Sequence, residues 1–142
     1  MREPVFCFTA DVDWASDYCL RELRSLLDAF EIRPTIFVTH RSAELEGWEN
    51  AELAVHPNFL TGSSHGATVA EVIDHVLEIV PTAQSFRSHC FFDNSHVTRA
   101  FRERRIRYDS NLCLHLQPDI VPLNHGPHIA RMLNRRHSAY AS

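Results

Sequence analysis

The sequence predicts an α/β fold in which short, mostly parallel strands alternate with helices. Runs of β-branched and aromatic residues that are short enough for strands recur along the chain, and segments with apolar residues at helical spacing lie between them. This alternation is typical of βα units, which build a parallel sheet or a barrel. The length of 142 residues, without repeats or low-complexity tracts, fits one domain over residues 1–142.

The first predicted strand is an apolar run over residues 4–10 that leads into two acidic residues, Asp11 and Asp13. Apolar residues fill both alternating sets of positions, so we expect a strand that is buried on both faces, with Cys7 as a core thiol. Side chains two positions apart point the same way, which places Asp11 and Asp13 side by side. Close carboxylates repel unless a cation or a proton lies between them, so a divalent metal is one interpretation. The alternative is that one aspartate caps the next helix and the other is solvated.

The next elements are a helix and two strands. Ser16 is placed to cap a helix that must end before Pro34. The apolar positions of this helix recur at helical spacing: Leu20, Leu23, Leu26, Leu27 and Phe30. The β-branched and aromatic runs at 35–39 and 52–56 then predict the second and third strands.

The most regular helix follows a loop that is rich in turn residues. Thr68 and Glu71 form a capping box at its start, and Pro81 ends it. Its apolar positions keep helical spacing: Val69, Val72, Ile73, Val76, Leu77 and Val80. A fourth strand over 85–87, a short helix that begins near Asn94 or Ser95, and a fifth strand over 106–112 complete the pattern. We expect residues 134–142, which lack apolar periodicity, to be a disordered tail.

The composition narrows the classes of function. The formal net charge of −4 gives no electrostatic case for nucleic acid binding. No apolar stretch approaches the ~18 residues that a membrane-spanning helix needs, so we expect no membrane span. The four cysteines are scattered and no signal peptide is visible, which favours a cytoplasmic protein. All 14 basic residues are arginine, which excludes chemistry that uses a lysine nucleophile.

Polar residues follow the predicted strands at their carboxyl ends. In folds built from βα units, functional sites collect at this edge. The residues there are Asp11, Asp13, Thr39, His40, His56, Arg87, His89, Asp109 and Asn111. Because these residue types recur at successive strand ends, the sequence predicts a functional site at this edge.

Several segments resemble motifs of the polysaccharide deacetylase family, also called the NodB-homology or carbohydrate esterase 4 group. Residues 8–13 are similar to its first motif, and residues 34–38 to the strand that often follows. Residues 52–56 resemble its histidine motif, 86–89 its arginine motif and 108–111 a segment of its substrate groove. Asp-Val-Asp-Trp at 11–14 and His-Pro-Asn-Phe-Leu at 56–60 are most like the WbmS-like branch, which is associated with bacterial surface-polysaccharide gene clusters.

The resemblance implies an incomplete or distorted (β/α) barrel with mostly parallel strands. It also implies a metal-dependent hydrolase that removes acetyl groups from an amino sugar or a surface-polysaccharide precursor. In this family pattern Asp11 is the general base and Arg87 orients it. His89 stands at the next position that faces the same way as Arg87, so we expect it to contact substrate or metal. The implied ligands of one divalent ion, zinc before cobalt, nickel, manganese or iron, are Asp13, His56 and His65. The implied substrate-binding residues are Asn58, Asp109 and Asn111.

The sequence departs from the family pattern at two places. The usual second histidine stands four residues after the first, but Leu60 occupies that position, so the ligand role passes to His65 beyond a glycine-containing loop. The family domain also continues through further strand–helix units to a late histidine that acts as general acid, and nothing marks His125 or His128 for that role. We therefore expect a domain that is truncated at its C-terminus, with an exposed sheet edge and a homo-oligomer as one consequence.

Other interpretations stay open at this point. The chain could hydrolyse a different small amide or cyclic imide, or be an inactive remnant that binds a metal or a glycan, because a fold does not define its substrate. His56 could simply donate to a loop carbonyl, and Arg87 could form an ordinary surface ion pair. Asp109 and Asn111 could make a turn. We interpret His75, on the polar side of its helix, as solvated or structural.

Overall fold

The computed structural model describes residues 6–111, which form one parallel sheet with helices on one side. The strand order β1-β2-β3-β4-β5 follows the chain, and each neighbouring pair is parallel. The sheet curls into a half-barrel, which confirms the predicted incomplete (β/α) barrel. The strands are β1 (Thr9–Asp11), β2 (Thr35–Val38), β3 (Glu52–Val55), β4 (Ser85–Phe86) and β5 (Tyr108–Asp109).

The helices are capped by polar side chains of the preceding residues. They are α1 (Asp17–Ala29), α2 (Ala43–Glu46), α3 (Val69–Ile79) and α4 (Ser95–Glu103), with a 3₁₀ turn at His89–Phe91. At the start of α3, the Thr68 hydroxyl accepts from the Glu71 N–H at 3.3 Å, and Glu71 accepts from the Thr68 N–H at 3.1 Å. These reciprocal bonds confirm the predicted capping box. The backbone donors of Ala67 and Thr68 lower the pKa of Glu71.

The hydrophobic core lies between the sheet and the helices. Ile36 and Val38 of β2 pack in it with Val55 of β3, and Phe86 of β4 stacks on Phe101 of α4 with ring centroids 3.9 Å apart. Since successive strand residues point to opposite faces, the residues between them in sequence, such as Phe37, face the inside of the half-barrel. The residues that follow the strand ends therefore emerge at the rim of this inner face.

Two expectations about the N-terminal region are wrong. The first strand is not buried on both faces: β1 is shorter than predicted, Thr9 is exposed, and Cys7 is an exposed thiol. Leu26 of α1 and Phe30, just beyond its end, have exposed side chains. Within residues 6–111, β1 pairs only with β2.

The other differences concern element bounds. The strands end before Thr39, His56 and Arg87, which lie just beyond β2, β3 and β4, and β5 is much shorter than the expected 106–112. The four-residue helix α2 was not predicted, because it is too short to show periodicity. The expected tail at 134–142, together with His125 and His128, lies outside the described residues. Within 6–111, each helix is too short or too polar to cross a lipid bilayer.

Candidate active site

A carboxylate and two imidazoles converge at the carboxyl ends of β1, β3 and β4. Oδ1 of Asp13 lies 3.1 Å from Nε2 of His56 and 2.8 Å from Nδ1 of His89. The three potential ligand atoms all lie within 4.8 Å of one another. His56 is buried, whereas the Asp13 side chain is half exposed, so the cluster has a protected side and an open side. This arrangement offers one oxygen and two nitrogen atoms to a ligand that approaches from the open side.

Two strained turns present these side chains. Asp13 and Trp14 have φ of 36° and 58°, and the turn is closed by a 2.7 Å hydrogen bond from the Ala15 N–H to the Val12 carbonyl. After His89, Cys90 and the following residue have φ of 56° and 52°. A non-glycine residue in this left-handed region costs about 1 kcal/mol or more. Such strain concentrates at functional sites, and here it lies beside two members of the cluster.

His56 is held by the sheet and its imidazole is favoured in the neutral form. Its backbone N–H donates to the Val38 carbonyl at 2.8 Å, which continues the β2–β3 ladder beyond the end of β3. Burial lowers the pKa of His56 and outweighs the negative charges of Asp11 and Asp13, which raise it. A neutral imidazole has a free lone pair, as metal ligation requires.

Arg87 fixes the second carboxylate of the site. Its Nη1 donates to Oδ1 of Asp11 at 2.8 Å, and its Nη2 donates to the hydroxyls of Ser110 at 2.9 Å and Thr9 at 3.2 Å. Its Nε donates to the Ser110 carbonyl at 3.3 Å. The guanidinium carbon lies 4.2 Å from the centroid of the Phe37 ring, which is within the range of a cation–π contact. Arg87 therefore joins β1, β2 and β5 and holds Asp11 in one orientation.

His65 lies beside the cluster but makes a different contact. Its Nδ1 accepts a hydrogen bond from the backbone N–H of Asn58 at 3.1 Å. A neutral imidazole that accepts at Nδ1 carries its proton on Nε2, so a metal would have to displace this hydrogen bond or this proton. The same holds for the nitrogens of His56 and His89 that lie against Asp13. Burial lowers the pKa of His65, and the charge of His75, which stacks on it at 5.1 Å, lowers it further. The ligand role of His65 stays a prediction, and the converging atoms include those of His89 instead.

The three residues predicted to bind substrate make hydrogen bonds to other residues of the chain. Oδ1 of Asn58 accepts from the Leu60 N–H at 3.0 Å, within the loop that follows β3. Asp109 accepts from the backbone N–H of Asn111 at 2.9 Å and from its side-chain amide at 2.7 Å. Asn111 is buried, and its Oδ1 accepts from the Ser88 N–H at 2.7 Å, next to His89. Substrate contact by these residues stays a prediction, while their hydrogen bonds support the loops around the cluster.

The sequence did not indicate the hydrogen bonds by which Ser110 and Thr39 support this site. Ser110 binds the Arg87 guanidinium through both its hydroxyl and its carbonyl. The hydroxyl of Thr39, which the sequence placed at a strand end, accepts a hydrogen bond from the Trp14 N–H at 3.0 Å. This bond holds the turn that carries Asp13. Both depend on contacts between residues 23 or 25 positions apart, which no local pattern records.

Comparisons with known proteins identify the family to which the chain belongs. A sequence model of the WbmS-like polysaccharide deacetylase family matches residues 8–135. The crystal structure at 1.90 Å resolution of WbmS from Bordetella bronchiseptica, a proposed polysaccharide deacetylase involved in O-antigen biosynthesis, is similar with a TM-score of 0.71 and 36% sequence identity. The match covers 80% of this chain and 49% of WbmS, so the chain spans about half the length of that protein. A search among curated proteins gave no significant match. The chain belongs to the WbmS-like polysaccharide deacetylase family.

Proposed function

We propose that this chain is a metal-dependent hydrolase that removes acetyl groups from an amino sugar or a surface-polysaccharide precursor. The observation that carries the proposal is the convergence of two imidazole nitrogens on Oδ1 of Asp13 at 2.8 and 3.1 Å. The adjoining pair of Asp11 and Arg87 supplies a fixed carboxylate that can act as a base. Membership of a deacetylase family supports acetyl hydrolysis as the reaction.

The donor set fits a divalent metal. Two ligand atoms that lie ~2.1 Å from one ion at right or tetrahedral angles are about 3.0–3.4 Å apart. The observed separations of 2.8 and 3.1 Å from Oδ1 of Asp13 are close to this range. The two nitrogen atoms are separated by up to 4.8 Å, so the imidazoles must also shift toward a common ion. We propose Asp13, His56 and His89 as the ligands. One carboxylate with two imidazoles suits zinc, and cobalt, nickel, manganese and iron accept the same donors.

In the proposed reaction the bound metal, Asp11 and Arg87 each have a separate role. A bound divalent ion lowers the pKa of a water molecule toward ~7 and polarises a carbonyl oxygen. Asp11 accepts a proton from the attacking water, and Arg87 keeps the Asp11 carboxylate in the orientation that this transfer requires. The open side of the cluster, at Asp13, admits the acetyl group.

The proposed substrate is inferred from the similarity to WbmS. WbmS is described as involved in O-antigen biosynthesis, and we propose an acetylated sugar of a surface polysaccharide as the substrate here. Cys7, Cys19 and Cys90 are unpaired thiols, which suits the cytoplasm. Self-association through the exposed apolar side chains of α1 stays a prediction that light scattering at high concentration tests.

Acetate release from N-acetylchitotriose by zinc-loaded protein tests the proposed function. We expect turnover by the parent chain, and in Asp11→Asn a loss of about 10²-fold or more, as for removal of a general base. Asp74→Asn, on the exposed face of α3, is the matched control and should keep full activity. Zinc content should be equal in all three proteins. An active Asp11→Asn variant, or a zinc-loaded parent that releases no acetate, would contradict the proposal.

A further inference from the structure

We propose that Trp14 is a stacking platform for a pyranose ring and that, with the cavity it borders, it forms a sugar-binding subsite beside the reacting centre. The inference rests on the proposed function and extends it to the way in which the substrate is held. It concerns a residue that the metal cluster and the Asp11–Arg87 pair do not use.

The position of Trp14 links it to the cluster. It follows Asp13 directly, and its ring centroid lies 5.5 Å from that of His89 and 5.4 Å from that of His65. Its backbone N–H is bound to the Thr39 hydroxyl at 3.0 Å, so the indole is anchored at its base. A ligand on this ring would therefore lie next to the open side of the Asp13 carboxylate.

Packing does not account for a tryptophan at this position. Trp14 is 40% exposed and lies outside the hydrophobic core, whereas Trp48, the other tryptophan, is 3% exposed and belongs to it. Trp14 also has φ of 58°, a conformation that glycine or asparagine adopts more easily. The site thus combines a strained backbone with a large exposed aromatic ring. Both features are unfavourable for folding and are expected where a side chain serves binding.

A small cavity opens beside the indole. It has a volume of about 240 Å³ and lies between the turn at Trp14, the end of β2 and the polar side of α3. Typical pockets for small molecules begin at about 300 Å³, so this one suits a single sugar residue. The polar side chains that line it are those of Thr39, His40, Arg41, Ser64, His65 and His75.

The chemistry of these walls matches a sugar. A pyranose has an apolar face of C–H bonds and a rim of hydroxyl and acetamido groups. The indole offers a flat apolar surface for the face, and its Nε1–H makes no hydrogen bond within residues 6–111. His40, Arg41 and Ser64 offer hydrogen-bonding groups for the rim. Both types of surface border the same cavity of about 240 Å³.

Collisional quenching of tryptophan fluorescence by acrylamide tests binding separately from turnover. Because Trp48 is buried, the quenchable emission comes from Trp14. We expect saturating N-acetylchitotriose to protect this emission in zinc-loaded protein. In kinetic assays of acetate release, Trp14→Ala should raise KM about tenfold, the scale of one aromatic contact. Trp14→Phe should recover part of this loss, and zinc content should not change.

Phe30→Ala is the matched control, because Phe30 is an exposed aromatic residue just beyond the far end of α1. It should leave KM unchanged. Unprotected Trp14 in a protein that still releases acetate would overturn the subsite and leave the proposed function standing. Protection of Trp14 without acetate release would support the subsite and overturn the proposed function. If neither occurs, both are wrong.

Discussion

The pair of Arg87 and Asp11 should be more strongly coupled than a shorter ion pair on the surface. The two side chains are 14% and 25% exposed, and Nη1 of Arg87 lies 2.8 Å from Oδ1 of Asp11. A charge-assisted hydrogen bond in such a partly buried site is worth about 1.5–3 kcal/mol. We therefore expect a coupling free energy of about 2 kcal/mol between Arg87→Met and Asp11→Asn.

The pair of Arg104 and Asp74 is the control for this prediction. Nε of Arg104 lies closer to its partner, at 2.6 Å, but the side chains are 26% and 59% exposed. Water and salt screen such a pair, so the coupling between Arg104→Met and Asp74→Asn should be about 0.5 kcal/mol. Burial, and not distance, is expected to determine the order of the two values.

Urea unfolding of the parent, the single variants and the double variant of each pair gives both coupling energies. The measurement is made on metal-free protein, so that the changed residues do not alter metal affinity. Equal couplings in the two pairs, or a weaker one for Arg87 with Asp11, would refute the argument that this carboxylate is held by its buried partner.

Two further predictions concern protonation and capping. Burial holds the pKa of His56 and His65 below 6.5, so acidification from pH 7.5 to 5.5 should destabilise the metal-free protein, because the unfolded chain binds protons first. For each of the two histidines, the free energy of unfolding should fall by at most ~1.4 kcal/mol per pH unit. A urea midpoint that does not fall on acidification would contradict this. Thr68→Ala should cost about 1 kcal/mol in the same assay and Thr68→Ser much less; equal losses would count against the cap.

The parts of the fold that the sequence predicts best are those fixed by local interactions. The start of α3 is one example, because Thr68 and Glu71 satisfy each other's backbone donors within a single turn. The rim of the site is another: Asp11, His56 and Arg87 could be assigned to it because polar residues after parallel strands meet at one edge.

Which histidine lies against Asp13 depends on loop geometry and could not be predicted from spacing. His65 follows a loop of turn residues, and the Asn58 N–H that binds its Nδ1 belongs to the same loop. His89 reaches Asp13 only because the backbone turns sharply at Cys90, with φ of 56°. A left-handed turn at a cysteine has no sequence signal, since glycine and asparagine are the residues that indicate one.

The exposed apolar residues near the end of α1 show a second property that the sequence did not predict. Phe30 keeps helical spacing with Leu26 and with the buried Leu27, but spacing indicates only that a face is apolar. Whether that face is covered depends on what lies beyond β1, the strand beside it, which is long-range information. Apolar periodicity therefore predicted the helix but not which of its apolar residues are covered.

The zinc content of the purified protein tests the central claim most directly. The protein is stripped with a chelator, reloaded with zinc, desalted and analysed by mass spectrometry, together with single alanine variants of Asp13, His56, His65, His89 and, as a control, the exposed His96 of α4. We expect close to one zinc ion per chain in the parent and in His65→Ala and His96→Ala, with loss in Asp13→Ala, His56→Ala and His89→Ala. A parent without zinc, full zinc content in Asp13→Ala, His56→Ala or His89→Ala, or loss of zinc in His65→Ala would contradict the proposed ligand set.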